Sequence, residues 1–285
     1  MSTPLFLSSF FAGIVCAASL PALASESVLL KEPDPKLGLE ISSSTAAEGG
    51  VAETSSSAGH TTQSISITRE RLIRRTMRPD GIGGVVSYHI LRDAIHTSIN
   101  GTSTSKTGDL EGKTATAGKN GAGNWSFSLP EASVYGEAAK DLEMLGAFEN
   151  RKWLPGRKVA IGETWNFNPT FIRRALQRDV PNPQVIGIMK LRKVDKAPDG
   201  SDQAIIDCFI RGGGEKTMSD GSVADAETGL AGTLTVNLDQ PGRMRLYLSG
   251  RLNTGTVKGG ETARAIVPLN MSVKINPLPL APPTP

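Results

Sequence analysis

Cysteine is nearly absent from this chain: 285 residues contain two, Cys16 and Cys208. Cys16 lies inside an apolar N-terminal run, which leaves the body of the chain one thiol and no internal disulfide. The fold must therefore rest on a hydrophobic core, which a chain of this length can supply. Histidine is equally sparse, at three residues, and His60 stands in a Ser/Thr-rich stretch. With only His89 and His96 beyond it, no Ser-His-Asp set is suggested. A dominant charge is missing too. Thirty-one Lys and Arg against 28 Asp and Glu leave +3, too little to indicate a nucleic acid partner. After the N-terminal run, no segment approaches the ~20 apolar residues that a spanning helix needs. No internal repeat is visible.

What is present begins with the apolar run Leu5–Leu20, followed by Pro21-Ala22-Leu23-Ala24 ahead of Ser25. Small residues at 22 and 24 fit a signal-peptidase site, so residues 1–24 are expected to be a signal peptide cleaved after Ala24. The mature chain would then be extracytoplasmic, periplasmic or secreted, with no transmembrane segment once the leader is removed. Residues 25–64 are rich in Ser, Thr, Ala, Gly and Glu and offer few large apolar groups to offset the entropy of ordering. They predict a disordered tether. Residues 277–285 (PLPLAPPTP) predict an extended Pro-rich tail. Between these flanks, 65–276 reads as a single β-rich domain.

Alternation of apolar and polar residues dominates that domain. In Ile266–Ile275, Val267, Leu269, Met271, Val273 and Ile275 share one face. In Gly242–Arg251, Met244, Leu246 and Leu248 do the same, with a turn at Gln240-Pro241-Gly242 joining a strand over 233–238. Further hairpins are expected from 185–194 with 203–211, and from 64–77 with 85–99. Two helices are expected among them. One runs over 131–148 behind Pro130, with the stripe Val134, Ala138, Leu142, Leu145 and Phe148. A short one is opened by Asn168-Pro169 and runs to about Gln177. The predicted class is α+β, mostly β: a curved, half-barrel-like antiparallel sheet of about eight to ten strands carrying one long and one short helix.

The most distinctive stretch is Trp153–Trp165, WLPGRKVAIGETW, in which Leu154-Pro155, Val159 and Gly162-x-x-Trp165 stand in order. With Leu110-Glu111-Gly112-Lys113 upstream, the chain resembles a family of uncharacterised bacterial exported proteins, a domain of unknown function, over about 65–276. It departs from that pattern in the Gly-rich 117–124 and the basic opening near Arg69. The resemblance implies a leader, β-hairpins and a helix ahead of the Trp element, and it assigns no catalytic residue. Read directly, the element turns at Gly162 and drives Trp165 and Phe167 into a core. An exposed indole would instead stack on a ligand, which makes Trp125, Trp153 and Trp165 the candidate ligand-binding residues. No metal, cofactor or catalytic residue is expected.

Other constellations read as structural. His89, Asp93 and His96, offset by four and seven, would line one face of a helix, but Val85–Ile99 is patterned as a strand. Glu137 and Asp141 predict a solvated helix face, and Cys208 an inert buried thiol. Arg69, Arg71, Arg74, Arg75 and Arg78 predict a solvated edge strand; their functional alternative is contact with an anionic envelope polymer or lipid head groups. The expected function is a non-enzymatic binding or structural module of the cell envelope. The alternatives are a carrier of a hydrophobic ligand or lipid in a groove between sheet and helix, or a metal-dependent hydrolase built on His89 and His96. The partner is left open by the sequence; the candidates expected are an anionic envelope polymer, a lipid or another envelope protein, and no nucleic acid.

Overall fold

The computed structural model describes residues 27–78, 84–130, 133–169, 184–240 and 242–279. The expected leader therefore lies outside the described residues, as do residues 79–83 between the expected strands, most of the expected short helix after Pro169, and the end of the expected Pro-rich tail.

Fourteen strands and one helix are present among the described residues. In chain order the strands are β1 (Ser27–Leu30), β2 (Leu39–Ser56), β3 (Gly59–Arg78), β4 (Val85–Ile99), β5 (Thr102–Thr107), β6 (Thr114–Lys119) and β7 (Trp125–Ser128). The helix α1 (Gly136–Glu149) follows. After it come β8 (Arg157–Ala160), β9 (Thr164–Phe167), β10 (Gln184–Lys196), β11 (Asp202–Thr217), β12 (Val223–Asn237), β13 (Met244–Lys258) and β14 (Glu261–Pro277). Twelve form one antiparallel sheet in the order β7-β6-β4-β3-β2-β14-β13-β12-β11-β10-β9, with β5 added on β4. The path ends on β7 and β9, which do not pair, so the sheet is open. Strands β1 and β8 pair separately.

This corrects the expected class on two points. The sheet holds twelve strands rather than eight to ten, and the described residues contain a single helix rather than a long and a short one. That helix also starts at Gly136, not just after Pro130: Trp125–Ser128 is consumed by pairing with β6, so the chain must leave the sheet before it can coil.

The expected tether is corrected as well. Residues 39–56 are β2, bonded to β3 on one side and β14 on the other. Leu39 and Ile41 are buried, and the remaining residues are held by backbone pairing rather than by large side chains. Ser27–Leu30 pairs with Arg157–Ala160, and Glu32 accepts the Trp153 and Leu154 amides at 2.6 and 3.0 Å. Much of the expected tether is thus built into the domain.

The core lies against one face of the sheet, and every second residue of the long strands points into it. Met189 and Leu191 on β10, Ile206, Cys208 and Ile210 on β11, Leu234 and Val236 on β12, Met244, Leu246 and Leu248 on β13, and Val273 and Ile275 on β14 are buried. Helix α1 contributes Ala138, Leu142, Leu145 and Ala147 to the same core. Trp153, Val159, Trp165 and Phe167 join it after the helix, and Gly162 turns the chain with φ 88°, a conformation open to glycine at little cost.

Candidate functional site

The three tryptophans are not brought into one site. Trp153 is 1% exposed, packed edge-on against Phe148 with ring centroids 5.8 Å apart. Trp165 is buried and donates its indole N–H to the Trp153 carbonyl at 2.9 Å. Both are core anchors. Trp125, on β7, is half-buried and lines a groove of about 650 Å³ between that strand and α1. Phe127, Leu129, Val134 and Leu142 supply the groove's apolar wall, and Asn124, Glu143 and Lys152 its polar rim. The ammonium of Lys119 stands 5.2 Å from the Trp125 ring centroid, a cation–π contact.

Asn150 fixes the groove's shape. Its Oδ1 accepts the Trp125 backbone N–H at 2.8 Å, and its Nδ2 donates to the Trp125 and Gly146 carbonyls at 2.8 Å each. The side-chain amide thus pairs with β7 as a neighbouring strand would, and also covers a carbonyl of the last helical turn.

Beneath the helix lies an ionic layer that the alternation did not disclose. Arg69 of β3 donates Nε and Nη2 to the two oxygens of Asp93 at 2.7 and 2.6 Å, and Nη1 and Nη2 to those of Asp141 at 3.0 and 2.7 Å. Arg71 reaches Asp93 at 3.0 Å and Asp141 at 2.8 Å. Arg75 pairs with Glu149 at 2.6 Å, and the Tyr88 hydroxyl donates to the same carboxylate at 2.6 Å. Hence Asp141 is not a solvated helix residue, and the arginines do not sit on a solvated edge. Strand β3 lies between β2 and β4, and Arg69, Arg71 and Arg75 face inward to hold the helix, while Glu137 stays exposed and pairs with Lys140.

Asp93 turns inward because β4 carries an irregularity opposite Leu72 and Ile73 that leaves Leu91 unpaired in the register. Such a bulge shifts the parity of every later side chain. The loop after β5 braces it: the Glu111 carboxylate accepts the Asp93 amide at 2.6 Å, and the Gly112 amide donates to the Ile90 carbonyl. A Cβ at Gly108 would overlap the Asp93 carboxylate, so this position requires glycine.

Burial pulls the Asp93 carboxyl upward, but the hydrogen bonds and charges of Arg69 and Arg71 outweigh it and its pKa is lowered. For Tyr88, burial first and then the Glu149 charge push the phenol well above 10. Burial likewise pushes the Cys208 thiol up to about 12, far from the thiolate that reactivity needs. His89 bonds Thr114 at 3.0 Å and His96 bonds Ser105 at 2.8 Å, each apart from the inward Asp93. Among the described residues, no group of three His, Cys, Asp or Glu gathers at metal-binding distance.

Of the groove residues, Val134 and Leu142 belong to the expected helix stripe, whereas Phe127 and Asn150 are not among the residues the sequence singles out. The signal for them was the short alternation Trp125-Ser126-Phe127 next to the helix stripe. Against protein-family models and against curated protein sequences, the chain has no match.

Proposed function

We propose that this chain is an exported, non-enzymatic binding module of the cell envelope, and that it seats an amphipathic ligand between α1 and β7. The observation that carries this reading is the groove itself. Its volume of about 650 Å³ falls in the ~300–1,000 Å³ range of small-molecule sites. Its lining is predominantly polar, with Asn120, Asn124, Ser126, Glu143 and Lys152 around an apolar patch of Trp125, Phe127 and Leu142, a division suited to an amphipathic molecule with a large polar head and a smaller apolar part. That arrangement favours the carrier form of the reading over a purely structural one.

The chemistry elsewhere supports a binder over a catalyst. Asp93, Asp141 and Glu149 are each engaged by guanidinium partners, which commits these carboxylates to holding the helix on the sheet rather than to a substrate. The apolar run ahead of Ala22-Leu23-Ala24 supports export, and the resemblance carried by Trp153–Trp165 points to the same class of envelope protein.

The test is mass spectrometry of organic-solvent extracts of the protein purified from its native envelope. One amphiphile near equimolar amount is expected with the native chain. Ala139→Trp, which fills the groove from the helix, should reduce it at least ~10-fold, equivalent to about 1.4 kcal/mol, at an unchanged melting temperature. An extract without any amphiphile, or equal loading of the filled variant, would refute the reading.

A further inference from the structure

The face of the sheet opposite the core carries a second feature, independent of the groove. The register places Lys193 of β10, Arg245 of β13, Lys274 of β14 and Arg92 of β4 in a single row running across the strands. The places between them are taken by Ile205, Thr235, Ser42 and Leu72, so the row holds four cations and no carboxylate. At ~4.8 Å per strand, its seven steps span roughly 30 Å.

Arg245 and Lys274 occupy the middle and are direct cross-strand partners. Like charges placed opposite each other destabilise a sheet, and natural sheets commonly relieve such a pair with a nearby acid. The outer members of the row have that relief: Lys193 pairs with Asp195 and Arg92 with Glu70. Among the described residues, Arg245 and Lys274 have no ion-pair partner, and both are exposed. Strain of this kind persists where something else stabilises it.

The surroundings indicate what that is. Two depressions, of about 400 and 450 Å³, flank the pair and share it as a common wall. The first adds Thr235, Asn237 and Arg243; the second adds the hydroxyls of Ser42, Ser44 and Ser272. Each also contains one acid, and each acid is engaged. Asp199 is bonded by Ser201 and Arg243, which hold its carboxyl down at about 2, and Glu70 is paired with Arg92. The net field of both depressions is positive, with hydroxyl and amide groups suited to oxyanions.

We infer that this outer face binds a linear polyanion bearing repeated phosphate groups, with successive oxyanions in the two depressions on either side of the Arg245–Lys274 pair. A lone phosphate would satisfy one depression and leave the row's length unused. A nucleic acid is a poorer fit, because the row contains no aromatic ring on which bases could stack.

Isothermal titration at low salt with linear inorganic polyphosphate tests the inference, using Arg245→Gln/Lys274→Gln and, as a control remote from the row, Lys106→Gln/Lys216→Gln. The native chain should bind, and the first variant should lose at least ~10-fold in affinity with a salt slope about two smaller, while the control stays within twofold. The Arg245→Gln/Lys274→Gln variant should also melt no lower than the native chain, since it removes a repulsion, so weaker binding cannot be ascribed to unfolding. Equal affinity in both variants would overturn the inference. So would orthophosphate binding as tightly as the polymer, or a preference for single-stranded DNA or phosphatidylglycerol vesicles. Groove loading should be the same in the native chain and both variants, which keeps this result separate from the amphiphile test.

Discussion

Arg69 on the sheet and Asp141 on the helix are joined by two hydrogen bonds, at 3.0 and 2.7 Å, across 72 residues of chain. The Asp141 side chain is 5% exposed, so the pair is a buried clamp between the two layers rather than a surface salt bridge. Removing one partner of such a pair typically costs about 3–5 kcal/mol, because the other charge is left uncompensated. Asp141→Ala should therefore lower the urea midpoint strongly. Asp141→Ala combined with Arg69→Met should lose less than the sum of the single changes. Equilibrium unfolding of the three variants checks both statements.

Acid should act through the same clamp. The folded pKa of Asp93 is depressed from 3.8, so its contribution is fully present above the ordinary aspartate range and is lost as pH falls through the lowered folded value. Stability measured between about pH 5 and pH 2 should decline, and the decline should be shallower in Asp93→Asn, which starts less stable. Parallel declines would remove Asp93 from the acid response.

Tyr88 gives the opposite signature at the alkaline end. Its phenol is held well above 10 by burial and by Glu149. The neutral form thus adds stability below the unfolded tyrosine pKa of about 10, and that stability disappears as pH rises toward the folded value. Ultraviolet titration of the native chain against Tyr88→Phe should show no difference at 295 nm until the protein unfolds.

Trp153 and Trp125 should respond differently to the same substitution. Trp153→Ala empties a site that is 1% exposed and is expected to cost about 3–5 kcal/mol. Trp125→Ala, at a half-buried groove wall, should cost less than half as much while reducing amphiphile loading. Chemical denaturation with extract analysis on the same samples separates the two roles.

Strand β2 makes a further measurable claim. Amides of Ile41–Ala46 should exchange with deuterium as slowly as those of Asn270–Ile275 on β14, their register partners. Deleting 25–64 should abolish cooperative unfolding instead of freeing a compact domain. Rapid exchange over 41–46 would contradict the pairing.

These regions also mark what was legible in the sequence. Strands β10 to β14 and the β3–β4 hairpin follow from period-two alternation, since one face must be apolar to meet the core. Strand β2 escapes that rule: an interior strand is bonded along both edges, and nearly all of it beyond Ile41 lies past the large core side chains, so Ser, Thr, Ala and Gly suffice. Asp141 and Arg69 were illegible for another reason. Each follows its local period correctly, but the meaning of an inward charge depends on a partner far away in sequence. Asp93 was hidden by the Leu91 bulge, which reverses the parity on which face assignments rest. Of the groove, the helix stripe and Trp125 were readable, whereas Asn150's part in closing the β7 edge arises only from tertiary packing.

The pairing of β2 with β14 has a consequence for how the chain reaches this state. These neighbours in the middle of the sheet lie far apart along the chain, with Leu39 registered against Pro277. A growing chain can zip up β3 to β7 on one side and β10 to β13 on the other as local hairpins. The seam between the halves must wait until the last strand emerges. Such non-local closure slows folding toward the millisecond-to-second regime, and until it occurs both inner edges stand open to any passing strand. A chaperone that shields those edges during synthesis would raise the yield, and removing β14 (Glu261–Pro277) would leave two half-sheets that aggregate.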